Sequence, residues 1–161
     1  MVLTDGVTEL VVILTLSCIH RWQQFLTTGD PPLGVEGYAL CSIDRTIYFF
    51  GGCSSNGVYQ NSLYSLKVDK WKWNVLFSTS QSNGPMKKGY TGMIAFHESL
   101  LVVGGYGPPP KNPQPSAKYN GNAIGGGVRT DEHHMYGLLT GELINCICMH
   151  SSGDEECCDG N

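Results

Sequence analysis

Between residues 37 and 76, short apolar runs alternate with polar clusters that favour turns. The runs are Gly37-Tyr38-Ala39-Leu40-Cys41, Thr46-Ile47-Tyr48-Phe49-Phe50, residues 61–68 and residues 70–76, and the second ends on Gly51-Gly52. Aromatic and β-branched side chains dominate them, and such side chains suit a pleated, half-buried surface. The connections are short enough for hairpins, so the pattern predicts one antiparallel sheet of four strands.

The pattern returns downstream. Gly89-Tyr90 follows Gly37-Tyr38 at a spacing of 52 residues, and Leu100-Leu101-Val102-Val103-Gly104-Gly105 follows the run ending in Gly51-Gly52 at 53. A fixed period of this size marks a repeat architecture. From Gly52 to Asn61 is 9 residues and from Gly105 to Asp131 is 26, an excess of 17 that also separates Gly105–Leu143 from Gly52–Trp73. One insertion after the second glycine pair therefore explains the whole difference. It places His134 on Tyr64 and Leu143 on Trp73. Upstream, Trp22 precedes Trp73 by 51 residues. Residues 19–25 and 10–16 are thus expected to be the fourth and third strands of an earlier repeat.

These landmarks resemble the kelch motif: glycine pairs at Gly51-Gly52 and Gly104-Gly105, Tyr64 and Tyr136 in third strands, and Trp22 and Trp73 in fourth strands. The resemblance covers residues 20–143 and implies an all-β fold. The expected architecture is a partial kelch-type β-propeller with two four-stranded antiparallel blades and a preceding half-blade. The expected divisions are a half-blade at 1–25, a linker and repeat at 26–77, a linker and degenerate repeat at 78–143, and a Cys-containing acidic tail at 144–161. Leu40, Ile47, Phe49, Leu63, Leu66, Val75, Ile94, Leu101, Val103 and Tyr136 are the candidates for positions between sheets.

Composition adds limits. Charged residues are 15% of the chain beside 21 glycines and eight prolines, which suits a loop-rich β protein. A net charge of −4 lacks the basic footprint of a nucleic-acid binder. The apolar run at 10–16 follows Asp5 and Glu9 with no Lys or Arg, unlike a secretory leader, and is too short for a membrane helix. With seven unpatterned cysteines, the expectation is a cytoplasmic protein with reduced thiols and no membrane contact.

Candidate chemistry is sparse. Cys146, Cys148, His150, Cys157 and Cys158 are zinc-ligand types, but the spacings of one and zero residues do not match the usual two to four. His133 and His134 are neighbours on a strand and should point to opposite faces, which favours packing or surface roles over a paired site. Gly125-Gly126-Gly127 lacks the Lys-Ser or Lys-Thr of a phosphate loop. No catalytic residue, metal ligand or cofactor is assigned, and the expected chain is not an enzyme.

The kelch resemblance implies a protein-interaction module that binds a protein or peptide through blade loops. The alternatives are a metal-dependent enzyme or metal-binding protein on the same fold, and a fragment of a longer kelch protein. Residues 77–88 and 106–130 contain no Asp or Glu and hold Lys87, Lys88, Lys111, Lys118 and Arg129. With Tyr106 and Tyr119 these form the candidate surface for an acidic peptide or phosphopeptide. Against it stands a mobile, solvated Pro/Gly-rich loop. Two blades cannot close a ring, so self-association or further blades are also expected.

Overall fold

The computed structural model describes residues 9–16, 19–78, 84–121 and 126–145, with side chains from Phe25 to Ile144 within those bounds. The cysteines and histidine of the tail, and Gly125, lie outside the described residues. Among the described residues, every regular element is a β-strand. β1 (Glu9–Leu16) and β2 (Ile19–Leu26) form a hairpin, with Ile13 opposite Trp22. β3 (Val35–Glu36) pairs with β6 (Cys53–Ser54).

The first blade runs in the order β4 (Ala39–Ile43), β5 (Thr46–Phe50), β7 (Leu63–Lys67), β8 (Lys72–Phe77), all antiparallel. The second repeats the order with β9 (Gly92–Phe96), β10 (Ser99–Val103), β14 (His133–Gly137) and β15 (Leu143–Asn145). The inserted loop carries a three-stranded sheet of β11 (Tyr106–Gly107), β12 (Tyr119–Asn120) and β13 (Val128–Thr130), with β13 in the middle. This loop is therefore folded over much of its length, because its Tyr and Val positions find backbone partners.

The tight turns after β4 and β9 sit at Asp44 (φ 51) and His97 (φ 50). Asp and His are among the residues that tolerate the left-handed region best. The hairpin meets the first blade through Phe25, whose ring stacks on Trp71 at 3.8 Å.

Two apolar clusters hold the blades. The larger lies between them: Ala39, Tyr48, Phe50, Leu63 and Phe77 of the first blade meet Met93, Leu100, Val102 and Tyr136 of the second. The other lies on the first blade's opposite face, where Phe49, Leu66 and Trp73 are buried beside Tyr38, Ile47 and Tyr64.

Of the positions expected between sheets, Phe49, Leu63, Leu66 and Tyr136 are buried, while Ile47, Leu101 and Val103 are half-buried. Leu40, Val75 and Ile94 are exposed, at 53%, 43% and 56%. Strand pairing explains the difference. Leu40 sits opposite Phe49 as Met93 sits opposite Val102, yet Met93 is buried because the first blade covers it. No described residue covers Leu40 in the same way.

One repeat landmark is shifted. Ala39 pairs with Phe50 and Gly92 with Val103, a spacing of 53 that matches the glycine pairs. Gly37 therefore corresponds to Tyr90, not to Gly89. Both adopt left-handed backbone, at φ 65 and 54.

Candidate functional site

The loops after β5 and β10 open on one face of the blades, with the second linker passing between them. Lys88 O accepts from Gly52 N at 3.0 Å, and Lys88 N donates to Gln60 O at 2.9 Å. One residue later, Gly89 and Tyr106 exchange two backbone bonds of 2.9 Å. The glycine pair permits this approach: a Cβ on Gly51 would collide with the Lys88 carbonyl, and Gly51 already has φ 67.

On this face lies a groove of about 350 Å³, lined by residues 57–59, Lys87, residues 106–108, Gly126 and Gly127. Tyr59 and Tyr106 stand edge to face across it, with ring centroids 6.0 Å apart. Burial is the main cause that pushes the Tyr59 phenol upward from its usual pKa, and nearby Cys53, Tyr106 and Tyr90 act in the same direction. Tyr90 is 62% exposed, and its ring lies over Gly37, whose oxygen accepts the Tyr90 N–H at 2.6 Å. A bulky residue held at positive φ is an outlier of the kind that clusters at functional sites.

The expected surface divides in two. Lys87 and Tyr106 line the groove; Lys111, Lys118 and Arg129 are exposed on the insertion, and Arg129 pairs with Tyr106 across β11 and β13. Lys88 does not belong to this surface, and half-buried Tyr119 turns its hydroxyl toward Glu132. Lys88 is fully buried, and its Nζ lies 3.0 Å from Glu132 Oε2. The same carboxylate accepts from Met86 N at 3.2 Å and, through Oε1, from the Tyr119 hydroxyl at 2.7 Å. The Tyr119 oxygen in turn accepts from Gln114 N at 2.8 Å. The expectation failed here because Glu132, 44 residues from Lys88, turns a linker cation into an interior one. Burial and this hydrogen bond hold the Tyr119 phenol up at about 12. The expectation also passed over Tyr59 and Tyr90. Tyr90 is legible only once the strand register is known.

His134 extends the same network. It is 1% exposed, in the place of Tyr64, and its Nε2 lies 2.9 Å from Gln114 Nε2. With the amide N–H donating, the ring proton sits on Nδ1, which has no partner. Burial first and Lys88 second lower its pKa to about 4; Glu132 opposes this and His133 adds to it.

The unfolded chain binds a proton at about 6.5, so stability should fall as pH drops from about 6.5 to about 4, by roughly 3 kcal/mol. Urea unfolding across this range, with His134→Gln as reference, checks the claim. Equal pH slopes in the two proteins would refute it.

Among the described residues, no three His, Cys, Asp or Glu side chains gather as metal ligands, and no helix is long and apolar enough to cross a membrane. Cys41 and Cys53 are free thiols, half-buried and buried respectively.

The KLHDC2/KLHL20/DRC7 Kelch-repeats domain family matches residues 4–143. The chain is 29% identical over 101 residues to host cell factor of Drosophila melanogaster, covering 62% of this chain and 7% of that protein. It is 35% identical over 65 residues to host cell factor homolog hcf-1 of Caenorhabditis elegans, covering 40% and 8%. Kelch domain-containing protein 2 of Mus musculus is 30% identical over 89 residues, covering 54% and 22%. The chain thus spans less than a quarter of the length of each of these relatives. Glycine pairs, blade order and strand register agree with that match over two successive repeats, and the chain belongs to the kelch-repeat family of β-propeller proteins.

Proposed function

We propose that this chain is a protein-interaction module that takes an extended protein segment into the groove at the seam of its two blades. The observation that carries this reading is the groove itself. It is lined by the loops that follow β5 and β10 and by the linker between the two blades. Its glycines allow close backbone approach, and Tyr59 and Tyr106 offer flat apolar area with polar tips, a combination favoured at interfaces.

Lys87 is the cation at its edge, with Lys111, Lys118 and Arg129 exposed on the adjoining insertion. The segment is therefore acidic or phosphorylated, with charge speeding encounter and the tyrosines supplying contact.

Selection from a displayed library of random peptides tests this. The enriched peptides should carry Asp or Glu and bind Lys87→Glu and Tyr106→Ala at least tenfold more weakly. Peptides without acidic bias, or with affinities unchanged in both variants, would reject the proposal.

A further inference from the structure

The sheet of the insertion has two unlike faces. Residues paired directly across neighbouring strands project from the same face. Tyr119 and Thr130 share the inner face, where Val128 and Thr130 are buried and the Tyr119 hydroxyl reaches Glu132. Tyr106 and Asn120 are both paired with Arg129, so these three stand in one row across β11, β13 and β12 on the outer face. The row begins at the groove, because Tyr106 meets Tyr59 of the first blade's loop and its ring lies against Gly127.

Arg129 and Asn120 are exposed, and among the described residues no carboxylate pairs with the Arg129 guanidinium. Asp131, two residues further along the same face, accepts from Lys118 N at 2.6 Å through Oδ1. That bond anchors the backbone of Lys118, a second exposed cation two residues before Asn120. Two cations against one carboxylate suit a dianion, and a phosphoryl group on a side chain carries about −1.5 to −2 at neutral pH. Its three oxygens can use the guanidinium fork, the Asn120 amide and the Tyr106 hydroxyl together, whereas a carboxylate offers two. Arg129 lies on the middle strand, paired on both sides, and a group held on a strand is placed more firmly than one on a loop.

Given a groove that takes a protein segment, we infer that the segment is phosphorylated and that Arg129 reads the phosphate. Asn120 and Tyr106 flank the phosphate, and Lys118 is the second cation.

Peptide libraries with a central phosphoserine or phosphotyrosine, each matched by one with Glu at that position, test this on the full chain. One phosphorylated library should yield binders about tenfold tighter than its Glu counterpart. Arg129→Lys should cut that preference to about twofold, since an ammonium lacks the planar fork. The thermal midpoint should stay at the parent value, because the side chain is exposed. Lys87→Glu should instead weaken phosphorylated and Glu peptides by a similar factor. Phosphorylated and Glu peptides that bind equally, yet weaken in Lys87→Glu, would overturn the phosphate assignment and leave the groove standing. Competition by inorganic phosphate without a phosphopeptide preference would mark a bare anion site and overturn it as well. A preference that survives Arg129→Lys would remove the role given to Arg129. No binding from any library would overturn the groove and the phosphate assignment together.

Discussion

Replacing Glu132 with leucine should cost about 3–5 kcal/mol, the range for removing one partner of a buried ion pair. The loss strands three groups at once: the fully buried Lys88 ammonium, the Tyr119 hydroxyl and the Met86 N–H. Lys88→Met should cost less, because the carboxylate keeps Tyr119 and Met86 as donors. The double variant should be more stable than the sum of the single losses predicts, since neither charge is then left alone in the interior.

The pH dependence has a definite sign. Burial lowers the Lys88 pKa and Glu132 opposes that shift, so without Glu132 the ammonium loses its proton more readily. The deficit of Glu132→Leu should shrink as pH rises toward the unfolded lysine value of about 10.4. Urea unfolding of the three variants checks both claims. Strict additivity would show that Lys88 and Glu132 are energetically independent.

Trp73→Ala should have a comparable effect, about 3–5 kcal/mol, through loss of packing. Trp73 is 2% exposed, faces Leu66 in register and holds Phe49 at a ring distance of 5.1 Å. Phe49 in turn leans on Tyr38 at 5.6 Å, so the cavity opens beside the residue that leads into β4. In a thermal melt the midpoint should fall by roughly 10 °C. An unchanged midpoint would mean that the fourth strand contributes little to blade stability. The indole N–H, buried without a partner, adds nothing that alanine would lose.

The alternation of apolar and polar positions was enough to place the blade strands, because side-chain period and turn chemistry are local. The glycine pairs were legible because they recur at a fixed spacing; at Gly51 the close approach of the Lys88 carbonyl leaves no room for a Cβ. Leu143 on the place of Trp73 was legible from spacing alone, and the pairing of Leu143 with Tyr136 matches that of Trp73 with Leu66.

What spacing could not carry was register at a chemically unlike pair. Gly37 and Tyr90 share a backbone conformation and no side-chain feature, so the repeated Gly-Tyr dipeptide pointed one residue away. Exposure of Leu40 and Ile94 depends on which face finds a neighbour, a property of the assembly rather than of the strand. Lys88 looked like a surface cation because its partner lies in another strand, and charge alone does not reveal burial.

The route of the linker has a consequence for the order in which the molecule is completed. Gly52 N and Gln60 O of the first repeat both close on Lys88, and Gly89 closes on Tyr106 of the second. During synthesis from the N-terminus, the loop of the first blade cannot satisfy these two groups until residue 88 has left the ribosome. Nor can residue 88 bury its charge until Glu132 follows, 44 residues later. The first blade is therefore finished by chain made after it, and a nascent product halted within the insertion would hold that repeat in an unsealed form.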